Sequence, residues 1–156
     1  DHASGSDFIN QWAHWLMKSE PDAWSWDQQV KAAAKGTEWT GVRNHSAKLN
    51  LMKMKKGDRG FFYHSNEGKE IVGIVEIIRE AHPDPTAKAG DPWVVVDVKA
   101  VEPMPKPVTL AAIKGETRLK DMALLKYSRL SVQPVKKAEF DAIVKLANQK
   151  PAKAKK

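Results

Sequence analysis

The chain has 156 residues and a formal net charge of +7, from 26 basic and 19 acidic side chains. That length suits one domain with a self-sufficient core. The absence of cysteine excludes disulfides and thiolate metal sites, and no apolar run approaches the ~20 residues of a membrane-spanning helix.

Residues 1–13 have no clear period and no initiator methionine, and are read as an N-terminal extension that could be vector-derived. Residues 14–148 hold the domain. Residues 149–156 form a basic tail with too little apolar surface to fold. Four lysines sit in 150–156, leaving +3 for the rest of the chain. With no signal peptide visible, a soluble, cytoplasmic, monomeric protein is expected.

"WLMK" at 15–18 reads as a buried strand entering the turn "SEPD", where Pro21 forces Glu20 out of helical geometry. Ser25 and Gln28 fit a capping box, predicting a helix from Trp26 to about Lys35 that Gly36 ends. "TEWTGV" follows as a loop. A second helix starts at Asn44 or His45 and runs to about Met54, with Leu49, Met52 and Ala47 on its buried side.

A β region comes next. "RGFFYHS" is a strand, "NEGK" a hairpin turn, and "EIVGIVEIIREA" a longer strand, apolar on both alternating faces. Coverage on both faces suits a curved barrel flanked by helices. "HPDPTAKAGD" is a loop and "PWVVVDVKAVEPM" a third strand, the three being expected as antiparallel neighbours. Thr109 caps a short helix over "LAAIKG"; "RLSVQPV" is a last short strand. "KKAEFDAIVKLA" is an amphipathic helix with Phe140, Ile143, Val144 and Ala147 as its core stripe. These elements predict an α+β domain of about five or six strands.

Catalytic constellations are weak. No two of His2, His14, His45, His64 and His82 have the i, i+4 spacing of a zinc helix. His64 and Ser65 are adjacent on a strand, so they point to opposite faces and cannot act as a nucleophile–base pair. Glu76 reads as a buried acid or as a carboxylate paired with a neighbour such as Arg79. No enzyme, cofactor or metal site is expected.

A binding socket fits "WTGVRNHSAKLNLMKMKKGDRGFFYHSN" better. A planar polar ligand needs an aromatic plate and fixed donors and acceptors at its edge. Trp39, in a polar loop beside Gly41, is either that plate or a plug for one end of the barrel. Arg43 and Asn44 bring donors to a helix start, or simply cap it and pair with a neighbouring charge. Ser19, Glu20 and Pro21 offer polar groups or form a plain turn. Alternation places Tyr63 with Phe61 and His64 with Phe62. Arg43, Lys48, Lys53, Lys55, Lys56 and Arg59 face only Asp58 within 43–59, as a polyanion-binding face requires.

"WLMKSEPDAWSW", "WTGVRNHSA", "MKKGDRGFFYHSN", "VGIVEIIREAHPD", "WVVVDVKAV" and "RLSVQPV" together resemble the EVE domain family of the PUA-like superfamily, which also holds the YTH domains. The likeness spans about residues 14–147. It implies a PUA-like curved β-barrel and a non-enzymatic pocket for a nucleobase, chemically modified, extruded from DNA or RNA. Carried over by motif, the pocket draws on Ser19, Glu20, Pro21, Trp39, Arg43, Asn44, Tyr63, His64 and Ser65, and on Arg129, Leu130, Ser131 and Gln133 from "RLSVQP". His45-Ser46-Ala47-Lys48 depart from the family's pattern, which commonly has an aromatic there.

Physics and resemblance then combine. Stacking offsets the cost of extruding a base, and Lys48, Lys53, Lys55, Lys56 and Arg59 are expected to hold the flanking phosphates. The competing readings are a small-molecule or protein interaction module that never touches nucleic acid, and an unrecognised enzyme.

Overall fold

The computed structural model describes residues 13–66 and 68–149, so residues 1–12 and the tail from 150 lie outside the described residues. Ala13, assigned above to the extension, is tied to the domain: its amide donates to Asp58 Oδ1 at 3.1 Å.

In chain order the strands are β1 (His14–Ser19), β2 (Thr37–Glu38), β3 (Arg59–His64), β4 (Glu70–Pro83), β5 (Val94–Thr109) and β6 (Val132–Val135). The helices are α1 (Trp26–Lys31), α2 (His45–Lys53), α3 (Leu110–Lys114), α4 (Ala123–Lys126) and α5 (Lys137–Ala147). All six strands form one mixed sheet in the order β2-β5-β4-β3-β1-β6. As expected, β3, β4 and β5 are antiparallel neighbours. The β1–β3 pair is parallel. Register shifts recur along β4–β5, and another lies between Phe62 and Tyr63 in the β3–β4 ladder. Bulges of this kind bend a sheet. Among the described residues the outer strands β2 and β6 do not pair with each other, so backbone bonds leave the curved sheet open.

Local signals in the chain account for the helix ends. Ser25 and Gln28 form the expected capping box on α1, Asn44 Oδ1 accepts from the Ala47 amide at the start of α2, and Thr109 caps α3. The segment expected to be helical to Lys35 stops at Lys31 and continues as a 3₁₀ turn over Ala33–Lys35. Gly36 follows it at φ 72°, pressed so closely on the Val98 carbonyl that a side chain there would collide. Gly73 on β4 is open to the Trp26 indole in the same way, and that contact seats α1 on the sheet.

The sheet is buried on both faces. Leu16, Phe61, Tyr63, Ile71 and Ile74 pack with Ile113, Leu119, Met122 and Ile143 on one side, where Phe140 of α5 stacks on Phe61 at 4.3 Å. Trp15, Met17, Phe62, Val75 and Ile77 pack with Trp26, Trp39, Ala47 and Leu51 on the other. The expected stripe of α2 is therefore corrected. Leu49 and Met52 are 53% and 55% exposed, and the buried line is Ala47, Leu51 and Met54 at i, i+4, i+7. Glu76 is also corrected: it pairs with Arg59 across the β3–β4 ladder at 3.5 Å, not with Arg79.

Candidate functional site

The parallel β1–β3 pair sets His14 beside Arg59 and Ser19 beside His64, so both strands end on the same side of the domain. β6 runs the other way and begins there, with Val132 beside Met17 and the Lys18 amide donating to the Ser131 carbonyl at 2.9 Å. Segments 18–24, 64–66 and 127–131 therefore converge.

A cavity with a volume of about 560 Å³ opens at this end. Two segments line it, one with Lys18, Ser19, Glu20 and Trp24, the other running from Thr37 to Gly41. Gln29 of α1 ties the two sides together: its Oε1 accepts from the Trp24 indole N–H at 2.8 Å, and its Nε2 donates to the Val98 carbonyl on β5 at 3.3 Å. Ser19 Oγ is already committed, donating to the Trp24 carbonyl. Lys18 Nζ donates to the Ser128 carbonyl at 2.6 Å, and burial lowers the pKa of this amine. Glu20 and Glu38 are the exposed residues of its lining that carry a carboxylate.

Trp39 lines this cavity but is only 7% exposed, with its ring edge-on to Phe62 at 5.4 Å and 85°. Of the two alternatives drawn from the sequence, the plug fits its burial, and its place in the cavity lining leaves the plate role to be tested. Trp24, half-buried in the same lining, went unassigned in the sequence. Its signal was its place immediately before the Ser25 cap, outside the buried stripe of α1.

Arg43 is not a free donor at the cavity edge. Its NH1 donates to Asp84 Oδ2 and to the Val42 carbonyl, each at 3.0 Å, its NH2 donates to Thr86 Oγ1 at 3.2 Å, and its guanidinium lies 5.9 Å over the Trp93 ring. Asp84 also accepts from the amides of Gly41 and Thr86 and from the Thr86 hydroxyl. Burial opposes its charge, but these bonds outweigh burial and bring its pKa to about 2. The cavity wall at Gly41 thus hangs on a carboxylate that the sequence presented as part of a turn.

The other expected pocket residues divide between two further depressions and the scaffold. Asn44, Arg129 and Leu130 line a depression of about 380 Å³, together with Ser46 and Tyr127. Tyr63 and Ser65 line a smaller one of about 190 Å³, which shares Lys18 with the main cavity. Burial raises the Tyr63 pKa. Gln133 is fully buried, donating to the Tyr127 and Leu130 carbonyls. Ser131 contributes its carbonyl to Lys18. Pro21 is half-buried in its turn, outside the cavity wall.

His64 supports α1: its Nε2 accepts from the Trp26 amide at 3.1 Å, which requires a neutral ring. Burial lowers its pKa below 6.5, against the pull of Glu70 and Asp27. Its contribution to stability is therefore present above pH 6.5 and lost as pH falls through the lower folded value. His64→Gln keeps an acceptor and removes the titration. On going from about pH 7.5 to about pH 5 the parent should lose more melting temperature than this variant; parallel slopes in thermal unfolding would refute the assignment.

The basic segment does not collect at the cavity. Arg59 pairs with His14 at the far end of β3, about 17 Å from the Ser19 end at roughly 3.3 Å per residue. Lys55 and Lys56 occupy the turn leading into that far end, where the Lys56 amide donates to Glu80. Lys53 lies in the last turn of α2, and Lys48 is half-buried one turn after Asn44. Lys18, Lys69 and Arg129 line the three depressions instead.

Strand pairing also assembles a group invisible in the sequence. Ligand atoms of Glu38, His82 and Asp97 lie within 4.8 Å of one another, the last two in contact at 2.7 Å.

A family model described as the EVE domain matches residues 13–146. Thymocyte nuclear protein 1 of Homo sapiens is 36% identical, covering 90% of this chain and 76% of that protein. Among solved structures, Rpa0253 from Rhodopseudomonas palustris is 64% identical with a TM-score of 0.82, covering 86% of this chain and 92% of that one. The human THYN1 protein in complex with 5-methylcytosine containing DNA is 36% identical with a TM-score of 0.82, covering 89% and 99%.

Proposed function

The chain belongs to the EVE domain family, and from that premise we propose that it is a non-enzymatic module that takes up a modified nucleobase extruded from DNA or RNA. The observation that carries this reading is the cavity of about 560 Å³, which has both Trp24 and Trp39 in its lining. It falls within the roughly 300–1,000 Å³ of small-molecule sites. The human relative's complex with methylated DNA supports the same reading.

Two tryptophans in the lining suit a flat heterocycle, and a methyl group on the base adds apolar contact. The Glu20 carboxylate suits an exocyclic amine, since carboxylates accept from the amino group of cytosine. The Lys18 ammonium uses one of its three hydrogens on Ser128 and retains donors for ring nitrogens or a carbonyl oxygen. Nothing in this wall resembles a nucleophile with its base. Binding and discrimination are the chemistry it offers.

The test is titration of oligonucleotides carrying one modified cytosine or adenine against unmodified controls, in single and double strands. Modified strands should bind more tightly than their controls, and affinity should fall steeply between about 50 and 200 mM salt. Equal affinity for modified and unmodified strands across the panel would remove the base-recognition reading.

A further inference from the structure

Tyr127 is 58% exposed, yet its backbone is rigidly held. Its amide donates to the Ala123 carbonyl at 2.7 Å, and its carbonyl accepts from the Leu130 amide and from Gln133 Nε2, each at 3.0 Å. A fully buried glutamine thus spends both amide hydrogens on the turn that presents this ring, leaving its own Oε1 without a partner. The ring borders the depression of about 380 Å³, where half-buried Leu130 offers an apolar surface and no carboxylate contributes. Around it stand the Arg129 guanidinium, the Ser46 hydroxyl and the Asn44 amide, whose nitrogen remains available because the cap uses only Oδ1. The same turn is joined to the main cavity through the bond from Lys18 to Ser128.

We propose that Tyr127, Arg129, Asn44 and Ser46 form a second nucleotide site, for the unpaired neighbour of the base held in the main cavity. This rests on the nucleobase reading above. Tyr127 stacks the neighbouring base, an interaction every base can make. Arg129 pairs with the intervening phosphate, for which its fork of donors is suited, and Asn44 and Ser46 add neutral hydrogen bonds. A turn whose backbone is already hydrogen-bonded loses little freedom on binding, which favours such a platform over a ring carried on a floppy loop.

The experiment compares a free modified nucleoside, which reads the main cavity alone, with a single-stranded hexamer carrying the same base centrally. Tyr127→Ala should leave nucleoside affinity unchanged and weaken the hexamer by roughly 5- to 150-fold; Tyr127→Phe should retain parental hexamer binding. Arg129→Gln should lower the salt dependence of hexamer binding by about one phosphate contact. Hexamer affinity unchanged in Tyr127→Ala would overturn the second site while the main cavity stood. A parent protein that bound neither ligand would overturn both. Equal weakening of nucleoside and hexamer would place Tyr127 in the main cavity and also overturn the proposal.

Discussion

Trp39→Ala should cost about 3–5 kcal/mol of folding stability, as expected for emptying a buried tryptophan site, and should abolish uptake of a modified base. The indole is 7% exposed, packs edge-on to Phe62, and belongs to the same buried cluster as Trp26, Val96 and Val98. Its backbone is also engaged, the amide donating to the Val96 carbonyl at 2.8 Å. Removing the ring therefore takes away one cavity wall and part of the core together. Trp39→Phe separates the two effects by keeping an aromatic face while losing area. It should recover most of the stability and part of the binding. Urea unfolding and oligonucleotide titration on both variants provide the check. A Trp39→Ala protein with parental stability would show that the core does not need this ring.

Asp84→Ala should cost about 1.5–3 kcal/mol, the range for hydrogen bonds to a charged group, since Arg43 opposite it is 39% exposed. Its side chain is fully enclosed and accepts from Gly41, Arg43 and Thr86. Truncation removes the acceptor of the Gly41 and Thr86 amides and frees the loop that lines the cavity. Modified-base affinity should fall as well, although Asp84 lies outside the cavity lining. The pH dependence follows from the depressed pKa. The carboxylate's contribution is present above 3.8, the ordinary aspartate value, and is lost as pH falls through about 2. The stability gap between parent and variant should consequently persist at about pH 4, above both values. Thermal unfolding of the pair across acid pH measures it, and a gap that closed by that pH would contradict the hydrogen-bonded carboxylate.

Features whose cause lies within a few residues were legible in the sequence. Ser25 with Gln28, Asn44 and Thr109 announce helix starts through their own side chains, and the β3–β4–β5 meander follows from alternation and turn chemistry. The buried face of α2 was not legible, because a short lysine-rich helix shows several apolar residues and the sheet accepts small Ala47 beside Leu51 in place of Leu49 and Met52. β2 is too short for any periodic signal; only its pairing with Val98 and Asp97 defines it.

Distant pairing decided the site. Arg59 stands close to Asn44 along the chain, but the parallel β1–β3 ladder sends it to the opposite end of the sheet from Ser19. The family motifs pointed to segments that do converge, yet could not reveal that Arg43 would be occupied by Asp84 or that the expected residues would spread over three depressions. Trp24 and Tyr127 were overlooked for a related reason: one precedes a cap and the other follows a four-residue helix, positions with no periodicity to interpret.

β1 has partners from opposite halves of the chain, Arg59–His64 on one side and Val132–Val135 on the other. During synthesis the β3–β4–β5 meander can form from neighbouring hairpins, but β1 must wait for β6 before both its edges are paired. Closing so long a loop loses entropy before its contacts form, which makes this a slow step. Until then Trp15, Leu16 and Met17 belong to a strand with one open edge, the kind of surface that recruits another chain. The segment 127–131 at the cavity end therefore takes its place only once β6 docks on β1. Damage to β6 would first appear as association between unfinished molecules, before any weakness could be measured in the completed fold.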